Sequence, residues 1–191
     1  MLETNVFKGR LLNVFRRVYP NGADPVVKEI VRKKPAVFGL VYDPVRDAVA
    51  FVRQEREPFK SPLDAGIKTE VPAGHIEADE LPRDTIKKEV REEIGVDIRR
   101  DQSLLLNNES FLAVSPGWTD ELSMPWFVRI EPGQCNDSRT VFGAAEEHER
   151  TELEWIPIHT LSGMTFDDLK SWGIVHWFLY MRLKGDARCR P

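Results

Sequence analysis

The stretch Pro72–Val96, PAGHIEADELPRDTIKKEVREEIGV, decides how this chain is read. Pro82 suits a first helical position, and Gly95 suits the residue just past a helix end. Between them Ile86, Val90 and Ile94 recur every four residues, which predicts a helix with one apolar face laid on a sheet. Glu89, Glu92 and Glu93 crowd into five residues of that helix. Glu89 and Glu93 stand four apart at the edge of the apolar stripe, and Glu92 is one turn from Glu89. Carboxylates at the edge of a buried face are partly desolvated, so their repulsion exceeds that on an open surface. A cation offsets it, and hard oxygen ligands in this number suit Mg²⁺ or Mn²⁺ rather than zinc, which takes His or Cys. Taken alone, KKEVREE also reads as a solvated charged helix with Lys87, Lys88 and Arg91 as partners.

Outward from this helix the chain reads as strands. LLNVFRRVY ends at the turn signal PNG and PVVKEIVRKK follows, a hairpin with Lys and Arg on its exposed face. AVFGLVYD and AVAFVRQ, separated by DPVRD, are apolar enough for the buried centre of a sheet. A short strand, TEVPAG, leads into the opening stretch. FLAVSPGWTDELSMPWFVRIEP predicts two strands around a Pro-Gly turn, and TELEWIPI a late strand. TFDDLKSWGIVHWFLYMRLK predicts a closing helix with an acidic start and a basic end, as the helix dipole prefers. Its Trp172, Trp177, Phe178 and Tyr180 read as core or an oligomer contact, and His176 as structural. Mixed strands with helices on different faces give an α/β sandwich.

The bulk numbers exclude several classes. At 191 residues, 41% hydrophobic and 30% charged, the chain fits one ordinary globular domain. A net charge of −4 implies no general affinity for nucleic acid or an anionic membrane surface. Cys135 and Cys189 lie far apart with no second pair, which reads as free thiols in a reducing compartment. MLETNVFKGR has no apolar segment of a signal peptide, and GIVHWFLYM is far shorter than a bilayer span, so a cytoplasmic protein is expected.

The segment has Gly74, five residues, Glu80, seven residues, and then KEVREEIGV. It resembles the Nudix box, G-x5-E-x7-R-E-U-x-E-E-x-G-U with U aliphatic, at eight of nine fixed positions. Lys88 stands where the family has Arg: it keeps the charge, whereas Arg orients a glutamate through two parallel hydrogen bonds. Asp79 replaces the glycine often found before Glu80. The resemblance implies that Glu89, Glu92 and Glu93 hold divalent ions, joined by a backbone carbonyl at Ala73, with Glu92 both a metal ligand and part of the catalytic set. Gly74 is expected to turn the chain sharply and bring backbone carbonyls close to the metal. Mg²⁺, with Mn²⁺ able to substitute, would neutralise a diphosphate and lower the pKa of the attacking water.

Three further features resemble ADP-ribose pyrophosphatases and related nucleoside diphosphate sugar hydrolases. They are SPGWTDE beyond the box, the frame FVRQER…TEVPAG, and the N-terminal hairpin before Pro35. The expected fold is a Nudix-type α/β/α sandwich with a mixed sheet and an N-terminal antiparallel strand extension. Residues 1–34 would form that extension, exchanged between subunits of a homodimer, and residues 35–191 the catalytic domain. The acidic loop GAAEEHERTELEW would supply the base that activates water: Glu147, with Glu146 in competition, Glu149 as a further metal ligand and His148 a bystander. Arg53 and Arg56 are candidates to clamp the diphosphate or a terminal ribose, or else to pair with Glu55 or Glu57 at the rim. Glu70 and Glu121 are candidates for sugar hydroxyls or water near the metals. Pro116 belongs to the same substrate loop, and Trp118 either stacks on a base or ribose or caps the core. The expected reaction cleaves ADP-ribose into AMP and ribose 5-phosphate. GDP-mannose, an ADP-hexose, or nucleotide sensing without catalysis are the alternatives.

Overall fold

The computed structural model describes residues 1–9, 12–135, 140–143 and 150–191. Three N-terminal strands, β1 (Leu2–Lys8), β2 (Asn13–Tyr19) and β3 (Val26–Arg32), form an antiparallel sheet in that order. The sequence predicts only the β2–β3 hairpin. β1 carries Glu3, Thr4 and Asn5 in mid-strand and is largely exposed, so no apolar alternation announces it.

The main sheet has nine strands: β4 (Ala36–Asp43), β5 (Ala48–Glu55), β6 (Ile67–Glu70), β7 (Ala73–His75), β8 (Ser103–Leu105), β9 (Leu112–Ala113), β10 (Leu122–Arg129), β11 (Val141–Phe142) and β12 (Thr151–Pro157). Its spine runs β11-β12-β5-β4-β10-β8, and the β4–β10 pair is parallel, so the sheet is mixed. All eight residues of β4 are buried, as a strand covered on both faces requires. One edge of β4 is shared, Val41–Asp43 pairing with β5 and Ala36–Phe38 with β7. TEVPAG therefore splits at Val71–Pro72: β6 continues beside β5, while β7 crosses to β4 and lies under the first helix.

That helix, α1 (Pro82–Ile94), begins and ends where its punctuation predicts. Gly95 follows it in the left-handed region at φ 76°, its N–H bonded to the carbonyl of Arg91 at 3.0 Å. A Cβ there would also lie 2.3 Å from the Phe142 ring. Ile86, Val90 and Ile94 pack on Val37, Val41, Trp126 and Val128 on one face of the sheet. The second helix, α2 (Leu169–Leu183), starts under an Asp168 cap and packs Ile174, Val175 and Phe178 on Phe38, Leu40, Phe51 and Phe127 on the other. The period-two alternation along β4 thus sends odd residues to α1 and even residues to α2, which makes the α/β/α sandwich. Of the aromatics on α2, Phe178 is core and Trp177 packs against it, while Trp172 and Tyr180 are exposed. Cys135 and Cys189 are both free thiols. No helix among the described residues is long and apolar enough to cross a membrane.

Tyr42 ties β4 to α2. Its hydroxyl donates to Asp47 Oδ1 at 2.9 Å and accepts from Arg182 Nη1 at 3.2 Å, and Arg182 Nη2 reaches Asp47 Oδ2 at 2.7 Å. Burial first, and the Asp47 bond second, push the phenol from 10.0 up to about 12. The folded state therefore holds this proton more tightly than the unfolded state. The contribution to stability is complete below pH 10 and is lost as pH rises toward 12. Urea unfolding is expected to show the wild type losing stability across that window, with Tyr42→Phe starting less stable and losing less. Parallel pH profiles for the two proteins would contradict the assignment.

Candidate active site

The carboxylates of α1 divide between two sides of the helix. Glu93 is 3% exposed, deeper than the stripe-edge position its spacing suggests, and its Oε2 accepts the N–H of Ala73 in β7 at 3.2 Å. One turn earlier Glu89 covers Gly74: a Cβ on that glycine would stand 1.9 Å from Glu89 Oε1. Gly74 is not in the left-handed region; it lies in β7 opposite Val37. Its expected role in a sharp turn is thus corrected: glycine is needed at 74 because the Glu89 carboxylate occupies the space of a side chain. Glu92 faces elsewhere, 3.8 Å from Lys88 Nζ and 3.6 Å from Arg91 Nη2, and its carbonyl accepts the Gly143 N–H at 3.0 Å. Lys88 Nζ approaches Glu92 Oε2 at 3.8 Å, a long ionic contact of the kind a compact ammonium makes.

The donor chemistry fits a hard divalent cation. Carboxylate oxygens stand on a rigid helix against a backbone strand, and the side chain missing at Gly74 leaves room for one of them. No three His, Cys, Asp or Glu side chains converge as a metal cluster among the described residues. Glu89 and Glu93 face β7, and Glu92 is the third carboxylate of the set. Glu146, Glu147, His148 and Glu149 lie outside the described residues.

The expected substrate residues form two further groups. Arg53 and Arg56 line a cavity of about 380 Å³ with Gln54, Ile67, Arg150 and Glu152. Arg56 does not pair at the rim with Glu55 or Glu57; it forks onto Glu70, Nε to Oε1 at 3.2 Å and Nη2 to Oε2 at 2.5 Å. Glu55 and Glu57 pair with Lys60 instead. Arg53 approaches Glu152 only to 4.0 Å, across the β5–β12 register. Arg150 and Glu152 escaped the sequence reading because only that strand pairing brings them to Arg53.

The second group is the loop of Pro116, Trp118 and Glu121, fastened to the end of β3. The Val31 N–H bonds to the Trp118 carbonyl at 2.8 Å, Arg32 Nε to Asp120 at 3.1 Å and Lys33 Nζ to Glu121 at 3.2 Å. Trp118 is 59% exposed, so it does not cap the core. Burial, then the charge of Lys33, push the His75 imidazole below its usual range, and Glu121 opposes them. His75 follows Gly74, so the same charges that hold the Trp118 loop act at the start of the box loop.

A profile of the NUDIX domain matches residues 32–178. The chain is 32% identical over 137 residues to the ADP-ribose pyrophosphatase of Escherichia coli K12, covering 71% of this chain and 62% of that relative, with the same figures for the Shigella flexneri protein. It is 33% identical over 119 residues to a methanol dehydrogenase activator from Bacillus methanolicus, covering 61% of this chain and 58% of the other. The chain belongs to the Nudix family. It spans about three fifths of the length of the curated relatives it matches.

The two arginines separate by mutation. Glu70 has a side chain 12% exposed, so Arg56→Ala leaves a nearly buried carboxylate without its fork and is expected to cost about 1–3 kcal/mol. Arg53→Ala breaks a long pair that is nearly half exposed on both sides and is expected to cost about 0–0.5 kcal/mol. Urea denaturation of both variants measures this, and equal costs would contradict the structural role given to Arg56.

Proposed function

We propose that this protein is a Mg²⁺-dependent hydrolase of nucleoside diphosphate sugars, with ADP-ribose as the first substrate, giving AMP and ribose 5-phosphate. The observation that carries the reading is the placing of Glu89 and Glu93 against β7, where Gly74 gives up its side chain to one and Ala73 N–H holds the other. The identity to ADP-ribose pyrophosphatases supports the choice of substrate. Mg²⁺, or Mn²⁺ in its place, would be held by Glu89, Glu92 and Glu93 with the Ala73 carbonyl and Glu149. When bound it neutralises the diphosphate and makes water acidic enough to attack. In the proposed reaction Glu147 accepts the proton of that water. Oxygen bonds to one phosphorus as the bridging P–O bond breaks, and the bridging oxygen leaves on the other phosphate. Arg53 and Arg150 offer two guanidinium groups to the substrate from one cavity, and Arg56, already forked to Glu70, holds that wall in place. Pro116, Trp118 and Glu121 present an indole and a carboxylate to the base or ribose.

We further propose a homodimer, with residues 1–34 as the exchanged extension and residues 35–191 as the catalytic domain. Support comes from the apolar side chains left exposed on the N-terminal strands: Leu2, Val6, Phe7, Val26 and Val27. The free thiols suit a cytoplasmic setting. A second reading, a nucleotide-responsive module acting through another enzyme, is favoured by the identity to a methanol dehydrogenase activator.

Product release from ADP-ribose, GDP-mannose and ADP-glucose, each with Mg²⁺, tests the proposal. AMP is expected from ADP-ribose, with Glu93→Gln slower by at least about 100-fold. Glu93→Gln keeps an acceptor for the Ala73 N–H, so it is expected to remain folded. Absence of turnover with either Mg²⁺ or Mn²⁺ would overturn the hydrolase reading and favour the module. Thermal unfolding supplies an independent readout. Mg²⁺ alone is expected to raise the melting temperature of the wild type, and much less that of Glu89→Gln or Gly74→Ala, whose carboxylate is lost or displaced.

A further inference from the structure

On the face of the sheet away from α1 lies a cavity of about 500 Å³, walled by Phe38, Leu106, Leu112, Leu169, Ile174 and Trp177. Phe38 and Ile174 belong to the α2 side of the core, so the sheet separates this space from Glu89 and Glu93. Its size and apolar walls are those of a small-molecule pocket.

Three features suit a ligand rather than a packing fault. Gly173 lies inside α2 with no atom of another described element within 4 Å of where its Cβ would be. A glycine inside a helix weakens it, and here no neighbour requires one, so its effect is to leave the cavity open. Ser123, on the cavity-facing side of β10 with Pro125 and Phe127, is 1% exposed and its hydroxyl has no hydrogen-bond partner among the described residues. The lip is strained: Asn107, Asn108 and Glu109 are three successive non-glycine residues in the left-handed region, at φ 56°, 49° and 61°.

Charge narrows the ligand class. Lys170 lines the cavity and makes no ion pair among the described residues. The acids beside it are engaged elsewhere: Asp168 caps α2 through the N–H groups of Lys170 and Ser171, and Asp167 accepts the Thr69 N–H at 2.9 Å. The Lys170 ammonium is thus available to an anion, while Phe38 and Trp177 supply ring surfaces.

We propose that this cavity binds a planar aromatic monoanion, its rings among Leu106, Ile174 and Trp177, its acidic group toward Lys170 and its polar edge facing Ser123. Val114 of its wall donates its N–H to the Glu121 carbonyl at 3.1 Å, so the cavity adjoins the Trp118 loop of the proposed function.

The probe is anilinonaphthalene sulfonate, a two-ring aromatic anion with a third ring attached, titrated into the folded full chain and read by fluorescence. The expected result is saturable binding of one probe per chain. Gly173→Leu, which fills the cavity, is expected to abolish it. Lys170→Met is expected to weaken the sulfonate about tenfold and the uncharged phenylnaphthylamine little. No saturable binding by the wild type, undiminished binding by Gly173→Leu, or equal effects of Lys170→Met on both probes would each overturn the proposal. Should Gly173→Leu fail to fold, amide NMR shifts on adding the probe to wild type decide the matter. Shifts at Asn107, Ser123 and Gly173 support the site, and shifts confined to other segments overturn it.

Discussion

The approach of α1 to the sheet is the constraint on which the rest depends. Two glycines lie beneath successive turns of the helix. A Cβ on Gly39 of β4 would stand 2.9 Å from Ile86 Cδ1, and one on Gly74 of β7 would stand 1.9 Å from Glu89 Oε1. A further turn along, Glu93 reaches the Ala73 N–H. The apolar stripe of Ile86, Val90 and Ile94 fixes which face of the helix turns inward, and the missing side chains fix how near it comes. Closeness at Gly74 requires β7 to lie beside the first half of β4, which is why the chain leaves β5's neighbour β6 at Val71–Pro72 and crosses over. The split edge of β4 is the backbone expression of a helix packed unusually close.

This geometry sets the electrostatic problem of the site. Glu89 and Glu93 share one helical face, and one of them is almost wholly buried. A buried carboxylate is costly unless hydrogen bonds and opposite charge compensate it. Lys88 and Arg91 both reach Glu92, at 3.8 and 3.6 Å. The residues that make KKEVREE look like a self-neutralised surface helix thus gather around Glu92, the carboxylate that does not face β7. A cation-bound state relieves such a site more than it relieves an exposed acidic helix, because the attraction acts where water screens least.

What was legible in the sequence follows from the range of the interaction that decides each feature. Pro82 and Gly95 bounded α1 correctly because helix punctuation is local, and the unbroken apolar run of β4 announced a strand covered on both faces. β1 was missed because its order comes from pairing with β2 and from Glu3, which bonds to Arg17 and Arg32, rather than from its own pattern. The carboxylates of the box were legible as a group, but their division between two sides of α1 was not, since it depends on β7 lying under only one side. For Arg56 the sequence offered the rim partners Glu55 and Glu57, which are near in the chain, whereas its partner Glu70 arrives through the β5–β6 register. Gly173 carried no signal at all, because a glycine in a helix reads as a defect until the space beside it is seen.

The N-terminal sheet meets the Trp118 loop along a seam. The Val31 N–H, Arg32 and Lys33, at and just past the end of β3, hold the loop of Trp118, Asp120 and Glu121 by three successive bonds, and Val31 pairs with Thr119 in a short parallel bridge. Lys33 is also the leading charge acting on His75, beside Gly74. A shift of the small sheet therefore moves the Trp118 loop and alters the electrostatics around His75 in one step. The exposed apolar side chains on β1 and β3 give that sheet a reason to be held by something outside its own chain. In the proposed dimer the partner that covers those residues would also fix where Trp118 stands, so assembly and the proposed nucleoside contact would depend on the same few bonds.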